Sequence, residues 1–156
     1  MNIVGIDVGG KTGLAYIEDG TIAALQTETW PKKGKPLAPF FAKIARFCES
    51  AELVVIEKPA YHGVYGRNQD KLSIGRSMQT HILRIGMVAG ALVHAGYTVQ
   101  LEKADTRSKR WRRVVVEGTS RCRGEYNEHE VDAAYLALRV EQVVKYEAAV
   151  RIEGEG

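Results

Sequence analysis

The chain has 156 residues, 45% hydrophobic and 26% charged, with 22 Lys plus Arg against 19 Asp plus Glu for a net charge of +3. That is enough chain to bury a core without disulfide staples, and the balance excludes a disordered polypeptide. The small positive charge favours an anionic partner without identifying one.

Cys48 and Cys122 are the only cysteines, too few for a disulfide framework or an all-cysteine zinc site. No apolar run reaches spanning length, and Asp7 interrupts the opening NIVGIDV, so neither a membrane span nor a secretory leader is expected. The expected setting is a reducing cytoplasm.

The first thirty residues predict a three-strand meander. IVGIDV and TGLAYIE are separated by Gly9, Gly10 and Lys11, and Glu18, Asp19 and Gly20 turn the chain into TIAALQTET. Short β-rich runs between Gly and Asp turns are hairpin signals. WPKKGKPLAP follows as a basic loop, because its prolines and glycine break regular structure. In FFAKIARFCESA, Phe40, Ile44 and Phe47 form one apolar stripe with Phe41 and Cys48 beside it, which predicts a helix. LVVIEKP is a short strand that carries Glu57 near its end and stops at Pro59.

Residues 60–73 lack periodicity and read as a long loop. A helix is expected from Ile74 to Ala95, its buried stripe drawn from Met78, Ile82, Ile85, Ala89, Leu92 and Val93. YTVQLE supplies a fifth strand, residues 103–113 are partly helical, GTSRCRGEYN is a loop, and a final helix runs from about Asn127 towards Tyr146. A meander followed by β–α crossovers predicts an α/β fold, a central mixed five-stranded sheet flanked by helices. Residues 1–150 are expected to form a single domain and 151–156 a flexible tail.

Four side chains stand out against their surroundings. Asp7 interrupts Ile3, Val4, Ile6 and Val8, and a carboxylate facing a core is expensive without a partner. Glu57 repeats the situation at the end of LVVIEKP. Either could instead sit on a wet strand edge. Asp132 opens an apolar stretch of Ala133, Ala134, Leu136, Ala137 and Leu138, with His129 one turn before it on the same helix face. Glu128 is a possible additional acid, although acids at a helix start also simply favour its positive end. Together Asp7, Glu57, His129 and Asp132 suggest a divalent-metal cluster. Oxygen donors suit Mg²⁺, and the imidazole makes Mn²⁺ a natural substitute. Two ions ~3.5–4 Å apart could activate water and stabilise both oxygens of a phosphodiester cleavage. Asp7 would be central, with His129 and Asp132 on one side and Glu57 on the other.

VGIDVG, VVIEKP and HEVDAAYLAL, in that order, resemble the RuvC family of Holliday junction resolvases, looking more like a phage or divergent member than the common bacterial protein. The resemblance spans roughly residues 3–140. It implies an RNase H-like fold, a homodimer, and Mg²⁺- or Mn²⁺-dependent cleavage of four-way DNA junctions by paired symmetrical nicks. Asp7, Glu57, His129 and Asp132 would then be the catalytic metal ligands, two ions to each site, and the setting would be a cell's cytoplasm or, for a phage protein, its host's. The chain departs from the family between Lys103 and Arg123, where the usual lysine pattern and glycine-rich connection are not clearly retained.

That same region is strongly basic. Lys103, Arg107, Lys109, Arg110, Arg112 and Arg113 fall within KADTRSKRWRR, and Arg121 and Arg123 follow. They are candidate phosphate contacts that position DNA without reading sequence, or else a solvated basic helix. Lys103 or Lys109 could approach the scissile phosphate. In AYHGVYGRNQDK, Tyr61, Tyr65 and Arg67 could stack on bases at an opened junction, or anchor the loop. Gly86 and Gly90, with Met78, Ile82, Ala89 and Val93, offer a dimer face along the long helix, unless that face covers the sheet. The resemblance places the family's dimer contact there.

Three other functions compete. The same fold could cut other branched DNA or structured RNA, or bind junctions without cutting them. IDVGGKTG also resembles the first phosphate-binding segment of actin-like sugar kinases, but it lacks the P-loop ending, and the chain is short for a two-lobed kinase.

Overall fold

The computed structural model describes residues 1–58, 75–105, 107–122 and 124–154. The expected meander is β1 (Asn2–Asp7), β2 (Lys11–Glu18) and β3 (Thr21–Thr29), antiparallel throughout. Asp19 and Gly20 make the β2–β3 turn, both with positive φ, which is what a two-residue hairpin loop requires if its twist is to match the strands. Helix α1 (Ala38–Phe47) follows, started by Pro39 in its first turn.

β4 (Leu53–Lys58) then pairs in parallel with β1, and after α2 (Gly75–His94) β5 (Val99–Lys103) pairs in parallel with β4. The sheet order is β3-β2-β1-β4-β5. This is the mixed five-stranded sheet that the segment order predicts. Helices α3 (Lys109–Thr119) and α4 (Glu128–Gly154) complete the chain. α4 runs past the expected Tyr146.

Alternating residues of the strands feed two cores. Ile3, Ala15, Ile17, Leu53 and Val55 pack on the alanine-rich face of α4 and on Val116 of α3. Val4, Ile6, Leu14, Val54 and Ile56 point the other way, onto Phe40 and Ile44 of α1 and Ile85, Val88 and Leu92 of α2. The α2 stripe therefore differs from the expected one. Ile85 and Leu92 are buried with Val88, whereas Ile82 (38%) and Val93 (59%) are exposed. The two sets lie on neighbouring rows of the helix, and only the row at 85, 88 and 92 faces the sheet. Among the described residues no helix is long and apolar enough to cross a membrane.

Two glycines set the height of α4 above the sheet. A Cβ on Gly5 would meet the Ala133 carbonyl oxygen at 2.0 Å, and one on Gly13 would meet that of His129 at 2.0 Å. Neither oxygen is a flexible tip, so the helix itself would have to move. Gly13→Ala should lower unfolding free energy by about 3 kcal/mol in a denaturant titration. Gly118→Ala on α3, where an added Cβ meets nothing within 4 Å, should be neutral or stabilise by roughly 0.5–1 kcal/mol. Equal effects of the two would contradict the close packing of α4.

Candidate functional site

Strand alternation decides where the acids point. Ile3 and Gly5 face α4, and two residues on, so does Asp7; Leu53 and Val55 face α4, and so does Glu57. β1 and β4 pair with Ile3 beside Leu53 and Ile6 beside Ile56, so one further step brings Asp7 level with Glu57. On the other side of β1, Asp7 pairs with Gly13, the glycine that lies under the first turn of α4.

That first turn is fixed by a capping box. Asn127 Oδ1 accepts from the Glu130 backbone N–H (2.9 Å) and Glu130 Oε2 accepts from that of Asn127 (3.1 Å). The Thr27 hydroxyl of β3 donates to Glu130 Oε1 (2.9 Å) and accepts from Asn127 Nδ2 (2.7 Å), which ties the cap to the sheet. Glu130 is thus a structural acid. The sequence signal for it, Asn followed three residues later by Glu, is in NEHE.

With the turn so placed, His129 Nδ1 lies at hydrogen-bonding distance, 2.9 Å, from Asp7 Oδ2. One turn on, Asp132 accepts from Arg112 Nη1 of α3 at 2.5 Å. Burial raises the Asp7 carboxyl above its ordinary range, opposed by the hydrogen bond and charge of His129, while Asp132 pushes it further up. Glu57 is pushed up to about 7, first by burial and then by Asp7 and Asp132, with Arg112 and Arg139 pulling the other way. Asp7, Glu57, His129 and Asp132 therefore form one electrostatic neighbourhood at the C-terminal ends of β1 and β4.

As donors, three carboxyls and an imidazole fit a hard divalent ion in type. Among the described residues, though, no three His, Cys, Asp or Glu side chains are already assembled as a metal-holding group. Asp7 is partnered by His129 and Asp132 by Arg112 instead.

Glu128 turns away from this group and pairs with Lys109 at 2.7 Å, both side chains exposed. Lys109, Arg110 and Arg113 line a cleft of about 260 Å³ together with Glu128, Val131 and Asp132. Arg113 also donates to the Tyr126 carbonyl (3.1 Å) and pairs with Glu117 (3.7 Å). Arg107 is exposed and pairs with Asp105 (3.8 Å), and Lys103 is exposed at the end of β5. Arg121 sits beside Glu18 (3.6 Å) at the β2–β3 turn, the opposite end of the sheet from Asp7. Tyr61, Tyr65, Arg67 and Arg123 lie outside the described residues. Two further groups at this end carry no sequence signal. One is the Arg112–Asp132 pair. The other joins Arg139 to Glu102 and Asp105, with the Tyr135 hydroxyl donating to Asp105 (3.0 Å).

The raised Glu57 carboxyl makes stability depend on pH. Below its ordinary value of 4.5 the group is protonated in both states; between there and about 7 the unfolded chain releases a proton that the folded chain keeps. Folding then takes up a proton, so this group's contribution falls as pH rises through that window and levels off above it. In metal-free protein, thermal melts from pH 4 to 8 should show Glu57→Gln gaining on wild type as pH rises. Parallel profiles would contradict the placement of Glu57.

No protein-family model matches the chain, and no match is found among curated proteins. Solved structures do match in shape. RuvC from Thermus thermophilus superposes with a TM-score of 0.58 at 18% identity, over 88% of this chain and 92% of that one. The fowlpox virus resolvase, solved with Holliday junction DNA, gives 0.55 at 14% identity, over 92% and 99%. The yeast mitochondrial Holliday junction resolvase gives 0.53 at 14%, over 87% and 75%. At these identities the likeness establishes architecture: the chain has the RNase H-like fold.

Proposed function

We propose that the chain is a divalent-metal-dependent endonuclease that resolves four-way DNA junctions by paired nicks. The observation that carries this reading is the meeting of Asp7, Glu57, His129 and Asp132 at one end of the sheet, beside a cleft lined by Lys109, Arg110 and Arg113. Two carboxyls held above their ordinary range, Asp7 and Glu57, leave negative charge that the protein compensates incompletely. Bound Mg²⁺ or Mn²⁺ would supply Lewis acidity and an activated water. Asp7, Glu57, His129 and Asp132 would be the residues that hold the metal. The cleft cations and Arg107 would position phosphates, giving a salt-dependent affinity with little sequence preference. The likeness to resolvases solved alone and with Holliday junction DNA makes that substrate the first to test.

A catalytically inactive junction binder is the second reading, favoured by the Arg112–Asp132 ion pair, in which a protein cation occupies a candidate ligand. The two separate in one assay on end-labelled substrates with Mg²⁺ and Mn²⁺ titrations. The nuclease reading expects symmetrical nicks on the four-way junction and little cutting of linear duplex, flaps or structured RNA. Asp7→Asn should lower cleavage by at least ~10²-fold while leaving junction binding within about twofold. Tight binding with no nicks in either metal would establish the binder, and equal cutting of all substrates a general nuclease.

Paired nicks need two copies. On α2 the row Ile82, Gly86, Gly90 and Val93 is exposed, with Leu83 beside it and Met78 and Ala89 half-buried at its margin. A C₂ contact along this row would place glycine against apolar side chains across the axis. Light scattering should give the mass of a dimer for wild type and of a monomer for Val93→Glu. A monomeric wild type at micromolar concentration would remove the dimer.

A further inference from the structure

Asp132, which the metal-dependent reading needs as a ligand, is engaged by a cation of the protein itself. Arg112 Nη1 donates to Asp132 Oδ1 at 2.5 Å, with the two side chains only 15% and 20% exposed. Its Nε donates to the Arg107 carbonyl at 3.2 Å, so the guanidinium is held at two points. A lysine ammonium on a flexible stem would not be fixed in this way.

We infer that Arg112 is a built-in counter-cation that latches Asp132 in the metal-free protein and competes with the divalent ion for it. This rests on the metal-dependent reading above.

Three observations carry it. Among the described residues, three neighbouring cations are engaged elsewhere. Lys109 pairs with exposed Glu128, Arg113 with Glu117 and the Tyr126 carbonyl, and Arg139 with Glu102, Asp105 and the Lys103 carbonyl. Arg112, by contrast, has its ion pair with one of the four candidate ligands. Second, the guanidinium is fixed and sheltered, held between Asp132 and the Arg107 carbonyl with both members of the ion pair largely buried. Third, the latched carboxylate can be reached. Asp132 forms part of the wall of the roughly 260 Å³ cleft, so a solvated ion can approach it without disturbing the core. A group that only tied α3 to α4 would not need to be a charge opposite a ligand.

The competition is measurable without any cleavage, as Mn²⁺ binding to the full chain by calorimetry and by electron paramagnetic resonance of free Mn²⁺. Arg112→Met removes the rival cation and should tighten Mn²⁺ binding about tenfold, the worth of one charged hydrogen bond. Arg112→Lys keeps a charge but loses the second tether, so it should tighten binding by a smaller factor; it also decides the matter should the Met variant fail to fold. Arg139→Gln is the control for field alone, since Arg139 also acts on Glu57 but has its ion pairs with Glu102 and Asp105; its affinity should stay within about twofold of wild type. Unchanged or weaker binding in the Arg112 variants, or equal tightening in Arg139→Gln, overturns the latch. Absence of Mn²⁺ binding in wild type and Arg112→Met alike, with Asp7→Asn indistinguishable from both, overturns the metal centre itself and the latch with it.

Discussion

The contact on which the rest of the site depends is backbone against backbone, where α4 lies on β1 and β2. Gly5 and Gly13 present bare Cα atoms to the carbonyls of Ala133 and His129, which are one helical turn apart. Ala15, Ala134 and Ala137 keep the same seam thin. A helix lying this low brings His129 within direct hydrogen-bonding range of Asp7. Raised by even an ångström, it would lose that bond, since hydrogen bonds weaken steeply beyond their narrow distance range. The glycines therefore act on the chemistry without carrying any of it. They fix the height, the Asn127–Glu130 cap fixes where the helix starts, and strand alternation fixes the face on which Asp7 and Glu57 wait.

The acids at this end of the sheet fall into two populations. Asp105 receives the Arg107 backbone N–H, the Tyr135 hydroxyl and the charge of Arg139, and its carboxyl is held below the usual range, with the backbone hydrogen bond the main cause. Glu130 is consumed by the cap and by Thr27. Glu128 is solvated and paired with Lys109. Asp7 and Glu57 are different: burial dominates, neighbouring acids add to it, and both carboxyls are pushed up. Ordinary structural electrostatics satisfies the first group and leaves the second wanting positive charge. That division separates acids satisfied within the scaffold from acids that the scaffold leaves unsatisfied.

Much of this architecture is legible in the chain itself, because it is written in short-range patterns. Alternating apolar runs and the Asp19–Gly20 turn specify the meander, and LVVIEK and YTVQLE mark the two parallel strands. Asp7 and Glu57 are conspicuous because a carboxyl ends each apolar run, and His129 and Asp132 because one helical turn separates them. What pattern cannot supply is the partner. Arg112 reads as one of six basic residues in KADTRSKRWRR, and only the packing of α3 against α4 singles it out by placing it opposite Asp132. Arg121 looks continuous with that run, yet it lies at the far end of the sheet beside Glu18. On α2, the row facing the sheet differs from the expected one because two apolar rows lie side by side there, and hydrophobicity alone does not rank them.

The positions of Asp7 and Glu57 in the fold argue against a purely structural role. β1 and β4 are central strands, and their other residues on the α4 face are Ile3, Gly5, Leu53 and Val55. An apolar or small side chain at position 7 or 57 would extend that packing, whereas a carboxyl loses hydration and repels its neighbours. Replacing buried charge by well-packed apolar groups is often neutral or stabilising, so fold stability alone gives no reason to keep two acids level with each other across a parallel pair. Places where a sequence breaks the local rules that it follows elsewhere are where function is expected to reside. Here two such breaches stand side by side at the C-terminal ends of adjacent strands. The same end carries the positive terminus of α4, whose dipole favours anions, and the cleft lined by Lys109, Arg110 and Arg113. An anionic polymer drawn to that cleft would lie against carboxyls that repel it when ionised, a conflict that the divalent cation of the proposed reading would relieve.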